Sequence, residues 1–555
     1  MNLKKPIFAL YLDAKSAFDK ALIQVLGRRL FLLGTKNQDL SYIIRRLENR
    51  ITFCEWDKVM MGPIKDELGL EQGGKFSSEF YKIYNAEQLT VPQETDLGTF
   101  IGDVHIASIG QADDTVLVSN DLYKLKFLLH LTLRYCTKFN VELSATKTKL
   151  QMFTPNNMPT PVANLLSNSA QLMIDGSPIK FVNTAEHVGI IRSTDGNLPH
   201  LLNRFTSHNR ALHSVLSVGL ARAHRGNPAA SFRVEKLYGL PVLLSGTASL
   251  NLKKSEENAI SYHYKLKLQQ LQKLHDKTPE PVVHFLAGSL PAEAILHIKK
   301  LSLFNMITRL PENILNRIAR YILTTAKDND KSWFSSISEL CLKYNLPHPL
   351  LLLDNPLPKE KAKSLIKMKI QDFWQSHFRK ASAPLPSLKY FRPEYMSLQK
   401  PHPIWTTCGN NSYEVAKAVI QAKFLSGRYR SESLTTHFSA GSSPNCSICP
   451  EKLIGSIEHI LTICSSLLPV RSQHLKHLTE SRNLSNFTKE IIQNYFKKPI
   501  DMTTQMLLDP STLPEVIFAV QNGETNVLNE IFRFTRSWCH AMHRCRLQQL
   551  KDNLH

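Results

Sequence analysis

Gly110-Gln111-Ala112-Asp113-Asp114-Thr115-Val116-Leu117-Val118 is the stretch around which the rest of this sequence is organised. The residues before it (Val104, Ile106, Ile109) and the apolar run after the two aspartates have the size and β-branching of buried strands, which predicts a hairpin with both carboxylates at its turn. Two carboxylates this close repel each other, so both stay ionised only when a cation shares the site, and hard divalent ions prefer such oxygen ligands. When the Asp113-Asp114 pair is read without the rest of the sequence, the alternative interpretation is a solvated turn.

A third carboxylate follows the first apolar run of the chain. Residues 7–12 read as a buried strand that runs directly into Asp13. An acid at the end of a central strand can face a hairpin turn of a neighbouring strand, which places Asp13 near Asp113 and Asp114. Three such acids suit two metal ions and phosphoryl transfer, in which one ion activates the attacking hydroxyl and the other stabilises the leaving group. The alternative role of Asp13 is a cap at the end of a strand.

Two polar segments lie between and after these acids. Residues 69–78 (GLEQGGKFSS) contain glycines that let a base or sugar approach the backbone, and Gln72 can hydrogen-bond to what arrives. Read alone, this segment is an ordinary turn, and Lys147-Thr148-Lys149 is a solvated basic turn. Between them, Asp121 predicts the N-cap of a helix whose apolar stripe packs against the sheet.

The order of these pieces resembles that of the reverse transcriptases of non-LTR retrotransposons. SAFD at 16–19 with Asp13, QGG at 72–74, ADD at 112–114 and KT at 147–148 are similar to palm motifs A, B, C and D, and the resemblance covers about residues 7 to 153. The segment Glu186-His187-Val188-Gly189-Ile190 is similar to the primer-grip region of the family, and residues 238–246 resemble a thumb segment.

The resemblance implies a role for each matching residue. Asp13, Asp113 and Asp114 would hold two catalytic Mg²⁺ ions. Phe18 falls where the family places an aromatic gate against the ribose 2′-hydroxyl, although a core phenylalanine is an equal alternative. Gln72 and Gly73 would touch the template or the incoming nucleotide, and Lys147 would neutralise or protonate the departing pyrophosphate. The implied partners are an RNA template, a DNA primer and deoxynucleoside triphosphates.

The sequence departs from the family pattern in two places. Gln111 stands where most relatives carry Tyr or Phe, which removes the usual aromatic packing beside the primer terminus. Twelve residues precede Asp13, where the family has a fingers region, and an endonuclease would lie further upstream. From the sequence we therefore expect a truncated element or an incomplete gene model.

Composition favours a polyanionic partner and a reducing compartment. The 68 Lys and Arg residues outnumber the 47 Asp and Glu residues, which gives a net charge of +21 and favours nucleic acid. Hydrophobic residues make up 43% of the chain, which supports globular cores, and no apolar run approaches the roughly 20 residues that span a bilayer. The nine cysteines are mostly scattered, which favours reduced thiols in the nucleus or cytoplasm over a secreted or membrane protein.

Three of the nine cysteines cluster around one histidine. Cys446 and Cys449 form a Cys-x₂-Cys turn that can place two thiolates on one metal ion, and His459 and Cys464 lie about one helical turn apart and can complete a tetrahedron. This spacing predicts one structural Zn²⁺; chance placement of the four residues is the alternative. The same segment, with LSGRYRSESLTTHF at 425–438 before it, resembles the zinc-binding region downstream of the polymerase in non-LTR elements.

The sequence thus predicts an α+β fold: a truncated right-hand polymerase palm, with an antiparallel sheet and packed helices, then a mostly helical thumb and a small zinc-binding module. The predicted regions are the palm at 1–195, a helical thumb-like region at 196–325, a helical or linker region at 326–430, the zinc-binding module at 431–475 and a basic helical region at 476–555. Cations of the thumb-like region would track a duplex backbone or else form solvated helix faces: Arg204, Arg210, Arg222, Arg225, Arg233, Lys265, Lys267 and Lys273.

Two functions from different classes follow from these patterns. The first is an RNA-directed DNA polymerase fragment of a non-LTR retrotransposon, which transfers nucleotides to a primer 3′-hydroxyl by two-metal chemistry. The second is a catalytically inactive remnant that binds RNA or DNA through its basic thumb and zinc region.

Overall fold

The computed structural model of the protein describes residues 5–48, 50–66, 68–154, 171–216, 226–326, 331–435, 443–482 and 484–553. The predicted α+β class is confirmed: the described residues are mostly helical, with small sheets that are largely antiparallel. The predicted thumb cations Arg222 and Arg225 lie outside these residues.

Fifteen strands are found among the described residues. They are β1 Ile7–Leu12, β2 Ala14–Lys15, β3 Arg50–Trp56, β4 Val59–Asp66, β5 Thr99–Ile101, β6 Val104–Ile106, β7 Ser108–Gln111, β8 Asp114–Ser119, β9 Glu142–Leu143, β10 Lys149–Phe153, β11 Met173–Ile174, β12 Ser177–Pro178, β13 Lys180–Phe181, β14 Thr184–His187 and β15 Ile190–Ser193.

The α-helices dominate after residue 197. In chain order they are α1 Ile23–Leu32, α2 Asn37–Glu48, α3 Ser77–Gln93, α4 Leu122–Lys138, α5 Leu198–Leu216, α6 Pro228–Val234, α7 Leu240–Leu243, α8 Lys254–Leu271, α9 Glu280–Ala287, α10 Ala292–Thr308, α11 Ile314–Thr325, α12 Trp333–Lys343, α13 Pro349–Asp354, α14 Lys359–Ser382, α15 Pro403–Thr406, α16 Ser412–Leu425, α17 Glu432–Thr435, α18 Leu468–Glu480, α19 Asn486–Phe496, α20 Ile500–Leu508, α21 Pro514–Gln521 and α22 Thr525–Asp552. Short π-helical turns cover Glu235–Gly239 and His459–Ile463.

The chain forms two compact units. Unit 1 contains residues 1–200, 306–339 and 349–356, and unit 2 contains residues 201–305, 340–348 and 357–555. All fifteen strands belong to unit 1, whereas the described part of unit 2 is built from helices and the cysteine-rich segment. The boundaries of the five predicted regions differ from those of the two units, since residues 306–325 of the predicted thumb-like region belong to unit 1.

A five-stranded sheet forms the centre of unit 1. Its strand order is β13-β10-β1-β8-β7, and every neighbouring pair is antiparallel except β10 with β13. The first apolar run supplies the middle strand: Leu10 lies opposite Leu117 of β8 on one side and Leu150 of β10 on the other. The predicted buried strand is therefore confirmed and lies at the centre of the sheet.

The two faces of β1 pack differently because successive side chains of a strand point to opposite sides. Phe8 and Leu10 join the main core of the sheet, together with the apolar stripe of α4. Ala9 and Tyr11 lie in a second cluster with Ala185 of β14. The predicted cap of α4 is confirmed as well, since the Asp121 carboxylate accepts a hydrogen bond from the backbone N–H of Lys124 at 3.0 Å.

The long helix α22 organises much of unit 2. It packs against α16, α18, α20 and α21, and its Trp538 is almost fully buried. Gln421 of α16 crosses this core, where its amide donates to the carbonyl of Leu507 at 2.8 Å and to Thr535 Oγ1 at 3.0 Å. A buried amide that bonds to two other helices fixes their relative positions because an unmade bond there is costly.

Two arginines of α22 are structural. Arg536 is buried, with one guanidinium nitrogen 2.7 Å from Thr407 Oγ1 and another 3.6 Å from a Glu414 oxygen. Arg546 is also buried and pairs with Glu432 at 3.0 Å. These two cations of the predicted basic C-terminal region are therefore occupied inside the protein.

A buried charge network joins α8 to α10. Lys300 is buried, and its Nζ donates to Glu257 Oε1 at 3.1 Å, while His297 Nε2 lies 3.5 Å from Glu257 Oε2. Burial raises the pKa of Glu257, but hydrogen bonds from His297 and Lys300 outweigh it and hold the pKa at about 2. Because this pKa is depressed, its stabilising effect is present above the ordinary value of 4.5 and is lost as the pH falls towards 2.

The same network extends to α12 through Glu293. Its Oε1 atom lies 2.7 Å from the ammonium groups of both Lys254 and Lys343. Glu257, Glu293 and His297 bring oxygen and nitrogen atoms within 4.8 Å of one another, a spacing that would suit a metal ion. Lysine ammonium groups already supply the positive charge, so we interpret this cluster as an ion-pair network that holds three helices together.

Replacing Lys300 with Met is expected to lower the free energy of unfolding of unit 2 by about 3–5 kcal/mol, because it leaves the Glu257 carboxylate buried without the ammonium group that balances its charge. Lys361→Met, at an exposed lysine of α14, is the matched control and should change stability by less than about 0.5 kcal/mol. Urea denaturation monitored by circular dichroism measures both. Equal stability of the two variants would contradict the interpretation.

No single described helix has the length and apolar character needed to cross a membrane. Glu280–Ala287 and Ala292–Thr308 meet that test only as a pair, with a bend of 68° between them, and most of their residues are buried inside the protein.

Candidate functional site

The sheet of unit 1 places the three predicted acids at neighbouring strand ends. β1 and β8 are antiparallel, with Leu12 opposite Thr115, so Asp13 follows β1 beside the start of β8. Asp113 and Asp114 occupy the tight turn between β7 and β8, in which Gln111 pairs with Asp114. Ala112 has a φ of 56°, the left-handed conformation that closes this short turn.

Electrostatic repulsion links these carboxylates. Burial raises the pKa of Asp114, and the charges of Asp113 and then Asp13 raise it further. One oxygen of Asp13, Oδ2, is buried and accepts no hydrogen bond from the described residues. Its nearest cation is Lys147, whose Nζ lies 3.8 Å away on a largely exposed side chain. A buried oxygen without a hydrogen-bond donor is a place where a cation or a water molecule can bind.

The three aspartates do not form a closed metal centre in this structure. Among the described residues, two groups bring three or more ligand atoms within 4.8 Å of one another, and neither contains Asp13, Asp113 or Asp114. The chemistry of the donors suits Mg²⁺, which takes carboxylate oxygens. The spacing of the three carboxylates in this structure does not support a Mg²⁺ site. The predicted pair of Mg²⁺ ions therefore stays a prediction.

The backbone around Asp13 is held by the segment that carries Lys147. The amide N–H of Asp13 donates to Thr148 Oγ1 at 3.3 Å, and the carbonyl of Asp13 accepts from the N–H of Ser144 at 2.8 Å. Thr148 is fully buried. Thr148 therefore fixes the end of β1. The side chain of Lys147 is largely exposed beside Asp13, where it can approach a ligand.

The glycine-rich segment docks onto the residues that follow Asp13. Its Leu70 N–H donates to the carbonyl of Phe18 at 2.7 Å, and Gln72 Nε2 donates to Asp19 Oδ1 at 3.0 Å. Gly73 has a φ of 84°, and a Cβ there would meet open space, so the backbone conformation rather than crowding favours glycine. The structure thus brings the predicted residues Gln72 and Gly73 to the same side of unit 1 as Phe18.

Phe18 is half-buried, and its ring stacks on Tyr81 of α3 with 4.8 Å between ring centres. Tyr81 itself lies close enough to Asp113 for that charge to raise its pKa, after burial as the larger cause. Asn85, one helical turn later, donates to the carbonyl of Ala112 at 3.2 Å and supports the acidic turn. Neither Tyr81 nor Asn85 is among the predicted site residues, although their i, i+4 spacing on one helix face is a usable signal.

His187, which belongs to the segment that resembles a primer-grip region, also lies near the acidic turn. It ends β14, its ring lies 5.6 Å from that of Tyr11, and its Nε2 atom is buried without a hydrogen-bond partner among the described residues. Burial lowers the pKa of His187, and the Asp114 charge opposes this. The fully buried Gln151 holds the hairpin in place: it accepts from Tyr11 Oη at 3.1 Å and donates to the carbonyls of Asn183 and Arg192.

The four predicted zinc ligands converge in unit 2. Cys446, Cys449, His459 and Cys464 are all buried, and their sulfur and nitrogen atoms lie within 4.8 Å of one another. The Sγ atoms of Cys446 and Cys464 are 4.0 Å apart, and Cys449 Sγ lies 3.4 Å from His459 Nε2. Zn–S bonds of about 2.3 Å and Zn–N bonds of about 2.0 Å at tetrahedral angles require edges of about 3.8 Å and about 3.5 Å. This buried Cys₃His group can therefore hold a metal ion, and its geometry is compatible with zinc.

Local backbone structure explains why this spacing works. Cys446 N–H donates to the carbonyl of Leu453, which closes a small hairpin around the Cys-x₂-Cys turn. His459 and Cys464 are five residues apart, one more than an α-helical turn allows. A π-helical turn over His459–Ile463 absorbs the extra residue, and the N–H of Cys464 donates to the carbonyl of His459.

The charges around the Cys₃His group are compatible with a bound Zn²⁺ ion. Burial, then the neighbouring Cys446, raises the pKa of Cys464 to about 12, so its thiol keeps a proton until a metal ion replaces it. Burial lowers the pKa of His459, which favours the neutral imidazole that binds metals. A Cys₃His group with Zn²⁺ carries one net negative charge, and the buried guanidinium of Arg471 lies beside Cys464 to balance it.

α22 anchors this segment from the side. Trp538 Nε1 donates to the carbonyl of Leu461 at 3.1 Å, and Gln549 Nε2 donates to that of Ser466 at 3.0 Å. Glu432, which pairs with Arg546, also accepts from the Ser447 hydroxyl. Residues 436–442 of the predicted zinc-binding module, which include the end of the quoted stretch at 425–438, lie outside the described residues.

Comparison with known proteins found no protein-family model that matches this chain and no curated protein that matches its sequence. The functional assignment therefore depends on the residues and geometry described above.

Proposed function

We propose that this chain is the RNA-directed DNA polymerase of a non-LTR retrotransposon, with a right-hand palm built around β1, β7, β8 and α4 and a helical thumb after it. The observation that supports this proposal best is the pairing of β1 with β8, because it sets Asp13 beside the Asp113–Asp114 turn. The docking of Gln72 and Lys147 around the same strand end adds to it. RNA template, DNA primer and deoxynucleoside triphosphates are the partners, in the nucleus or cytoplasm.

The reaction is nucleotidyl transfer. The primer 3′-hydroxyl loses its proton to water and attacks the α-phosphorus of a deoxynucleoside triphosphate, the new P–O bond forms as the bond to the β-phosphate oxygen breaks, and pyrophosphate leaves. Asp13, Asp113 and Asp114 are the residues that would hold Mg²⁺, which supplies charge stabilisation and lowers the pKa of the attacking hydroxyl.

Other side chains would position the substrates. Gln72 and Gly73 lie on a glycine-rich segment that a base or sugar can approach, and Phe18 lies beside them on its Tyr81 support. Lys147 would donate a proton or a positive charge to the pyrophosphate, since its side chain is largely exposed and near Asp13. Phe18, by its bulk, would exclude a ribose 2′-hydroxyl.

The test of this proposal is templated synthesis by the full chain. With Mg²⁺, a DNA primer annealed to RNA should be extended by the nucleotides that the template specifies, and omission of any one of them should stop extension at the matching position. Extension with ribonucleotides should be much weaker. Complete absence of extension with protein that folds and binds the duplex would contradict catalysis.

A second function is favoured by one observation. The three aspartates do not reach the spacing of a metal centre, while the net charge of +21 and the Cys₃His group would serve nucleic-acid binding without catalysis. In that case the palm is a scaffold, and the chain is a binding remnant. Binding to the duplex without any extension is the result that selects this function.

Both functions predict salt-sensitive binding to nucleic acid. Affinity for an RNA–DNA duplex should fall by roughly 10³-fold or more between about 50 and 200 mM salt, since about six phosphate contacts each release counterions. Fluorescence anisotropy of a labelled duplex measures this slope. Affinity that changes less than about threefold over the same range would exclude a backbone-tracking surface.

A further inference from the structure

The first half of α14 in unit 2 carries a row of exposed lysines. Residues 359–369 read KEKAKSLIKMK, with five lysines and one acid. Lys359, Lys363 and Lys367 follow one another at intervals of four residues, so they lie along one face of the helix, and all three are exposed. Among the described residues, none of the lysines of α14 has a carboxylate within ion-pair distance. We call Lys359, Lys363 and Lys367 the lysine row.

Other lysines of unit 2 are paired with acids. Lys254 and Lys343 each lie 2.7 Å from a Glu293 oxygen, and Lys389 lies 2.7 Å from an Asp501 oxygen. The lysine row is therefore not what this unit does with lysines in general. Like charges four residues apart on a helix repel each other and destabilise it. The row thus has a cost in the isolated protein that an anionic partner would remove.

A second segment of unit 2 adds a cation at the end of the row. Gln371 occupies the next position after Lys367 on the same face, and its Oε1 accepts from Gln399 Nε2 at 3.1 Å. Lys400 follows directly and is exposed. Its backbone packs against Gly288 at the end of α9, where a Cβ would meet the carbonyl carbon of Lys400 at 2.0 Å. Tertiary packing therefore fixes a fourth lysine close to the row.

We propose that the lysine row and Lys400 bind the phosphate backbone of an RNA–DNA duplex. At about 1.5 Å per residue, the three lysines of the row span about 12 Å. A duplex strand carries one phosphate per about 3.4 Å of its axis, so this span faces about three or four phosphates. Such contacts position a duplex without reading its sequence.

The other face of α14 decides between polyanions. Ala362, Ile366 and Ile370 are buried within unit 2, so the helix has no apolar face to insert into a lipid surface. The row itself holds no aromatic ring on which unpaired bases could stack, which favours a duplex over a single strand. The inference rests on the nucleic-acid binding proposed above, and it assigns that binding to a helix outside the predicted thumb-like region.

A triple variant of the full chain, Lys359→Gln with Lys363→Gln and Lys367→Gln, tests the surface. Fluorescence anisotropy of a labelled RNA–DNA duplex should show affinity at least about 10-fold weaker at about 100 mM salt. The slope of log affinity against log salt should fall by about 3, one for each lost phosphate contact. The variant should melt no lower than wild-type protein, because it removes like-charge repulsion from an exposed face.

The matched control removes the same charge from scattered positions. Lys236, Lys476 and Lys551 are exposed lysines on three different elements of unit 2, and glutamine at all three should change the affinity by less than about twofold. Equal binding by wild-type protein and the row variant would overturn the proposal, as would equal losses in the row and control variants. Row-dependent binding to vesicles of phosphatidylserine and phosphatidylcholine, without duplex binding, would overturn it in favour of a membrane. Row-dependent duplex binding by protein that extends no primer would support the surface while it contradicts the polymerase.

Discussion

Replacing Asp113 with asparagine is expected to reduce RNA-templated nucleotide incorporation by about 1,000-fold or more, which corresponds to about 4 kcal/mol of transition-state stabilisation. Asp113 occupies the turn between β7 and β8 beside Asp114 and across from the end of β1. The amide keeps the size of the side chain but removes the charge that binds a cation, so the fold should persist while the electrostatic stabilisation is lost. Single-nucleotide incorporation under pre-steady-state conditions measures the effect.

A matched control exists in the same unit. Asp175 lies at the turn between β11 and β12 with a φ of 48°, a conformation that asparagine also adopts readily. Asp175→Asn makes the same chemical change at a hairpin turn that carries no proposed role, and it should retain wild-type incorporation. Equal rates for wild-type protein and Asp113→Asn would exclude the assignment of this turn as the catalytic centre.

Lys147→Met should lower the rate of nucleotide incorporation about 10²-fold, as expected for a lost proton donor.

Removing a zinc ligand should have the largest effect on stability. Purified protein is expected to contain one zinc ion per chain, and Cys446→Ser and Cys449→Ser should each abolish stable binding. Structural zinc sites contribute about 10–16 kcal/mol of apparent binding free energy in small zinc-finger peptides, and that energy is available to folding. The segment around residues 443–467 should therefore lose its structure when a ligand is replaced. Metal analysis by mass spectrometry and limited proteolysis measure the two consequences separately.

Cys341→Ser is the control for the zinc variants. Cys341 is equally buried, on α12, and lies outside the Cys₃His group. It should keep one zinc ion per chain and lose only the packing of one sulfur atom, about 1 kcal/mol. Well-folded wild-type protein without zinc, or a Cys446→Ser variant with a full complement of zinc, would rule out the site.

Residue patterns along the chain predicted the elements with strong local signals. The apolar run before Asp13 forms the central strand, the Asp113–Asp114 stretch forms a hairpin turn, and Asp121 caps α4. These three predictions are confirmed because strand, turn and cap preferences act over only a few residues. The Cys₃His group was predictable for a similar reason, since metal ligands are few and their spacing is constrained.

The polar contacts that support the candidate sites could not be predicted in this way. His187 approaches Asp114 and Gln151 fixes the hairpin of His187 through pairings of single residues far apart in the chain. A single polar residue leaves no periodic pattern, and its partner depends on how the strands are ordered in the sheet. The same holds for Lys300, which looks like a solvated lysine in sequence and is buried against Glu257.

Charge counting from sequence has a related limit. Arg536 and Arg546 contribute to the net charge that favours nucleic acid, yet both are buried and bound to acidic groups within unit 2. The composition reports the number of cations but not their accessibility. The proposed nucleic-acid binding would therefore depend on the other Lys and Arg residues of the chain.

The hydrogen bond from the Trp538 indole to the Leu461 carbonyl makes tryptophan fluorescence a reporter of the Cys₃His segment. Trp538 is one of five tryptophans, its indole N–H is bound to a carbonyl that lies between His459 and Cys464, and the ring is almost fully buried. The emission wavelength of an indole depends on its exposure to water. Loss of the metal and opening of this segment would thus shift the emission of Trp538 to the red, which makes the state of the site visible in the ultraviolet without any added label.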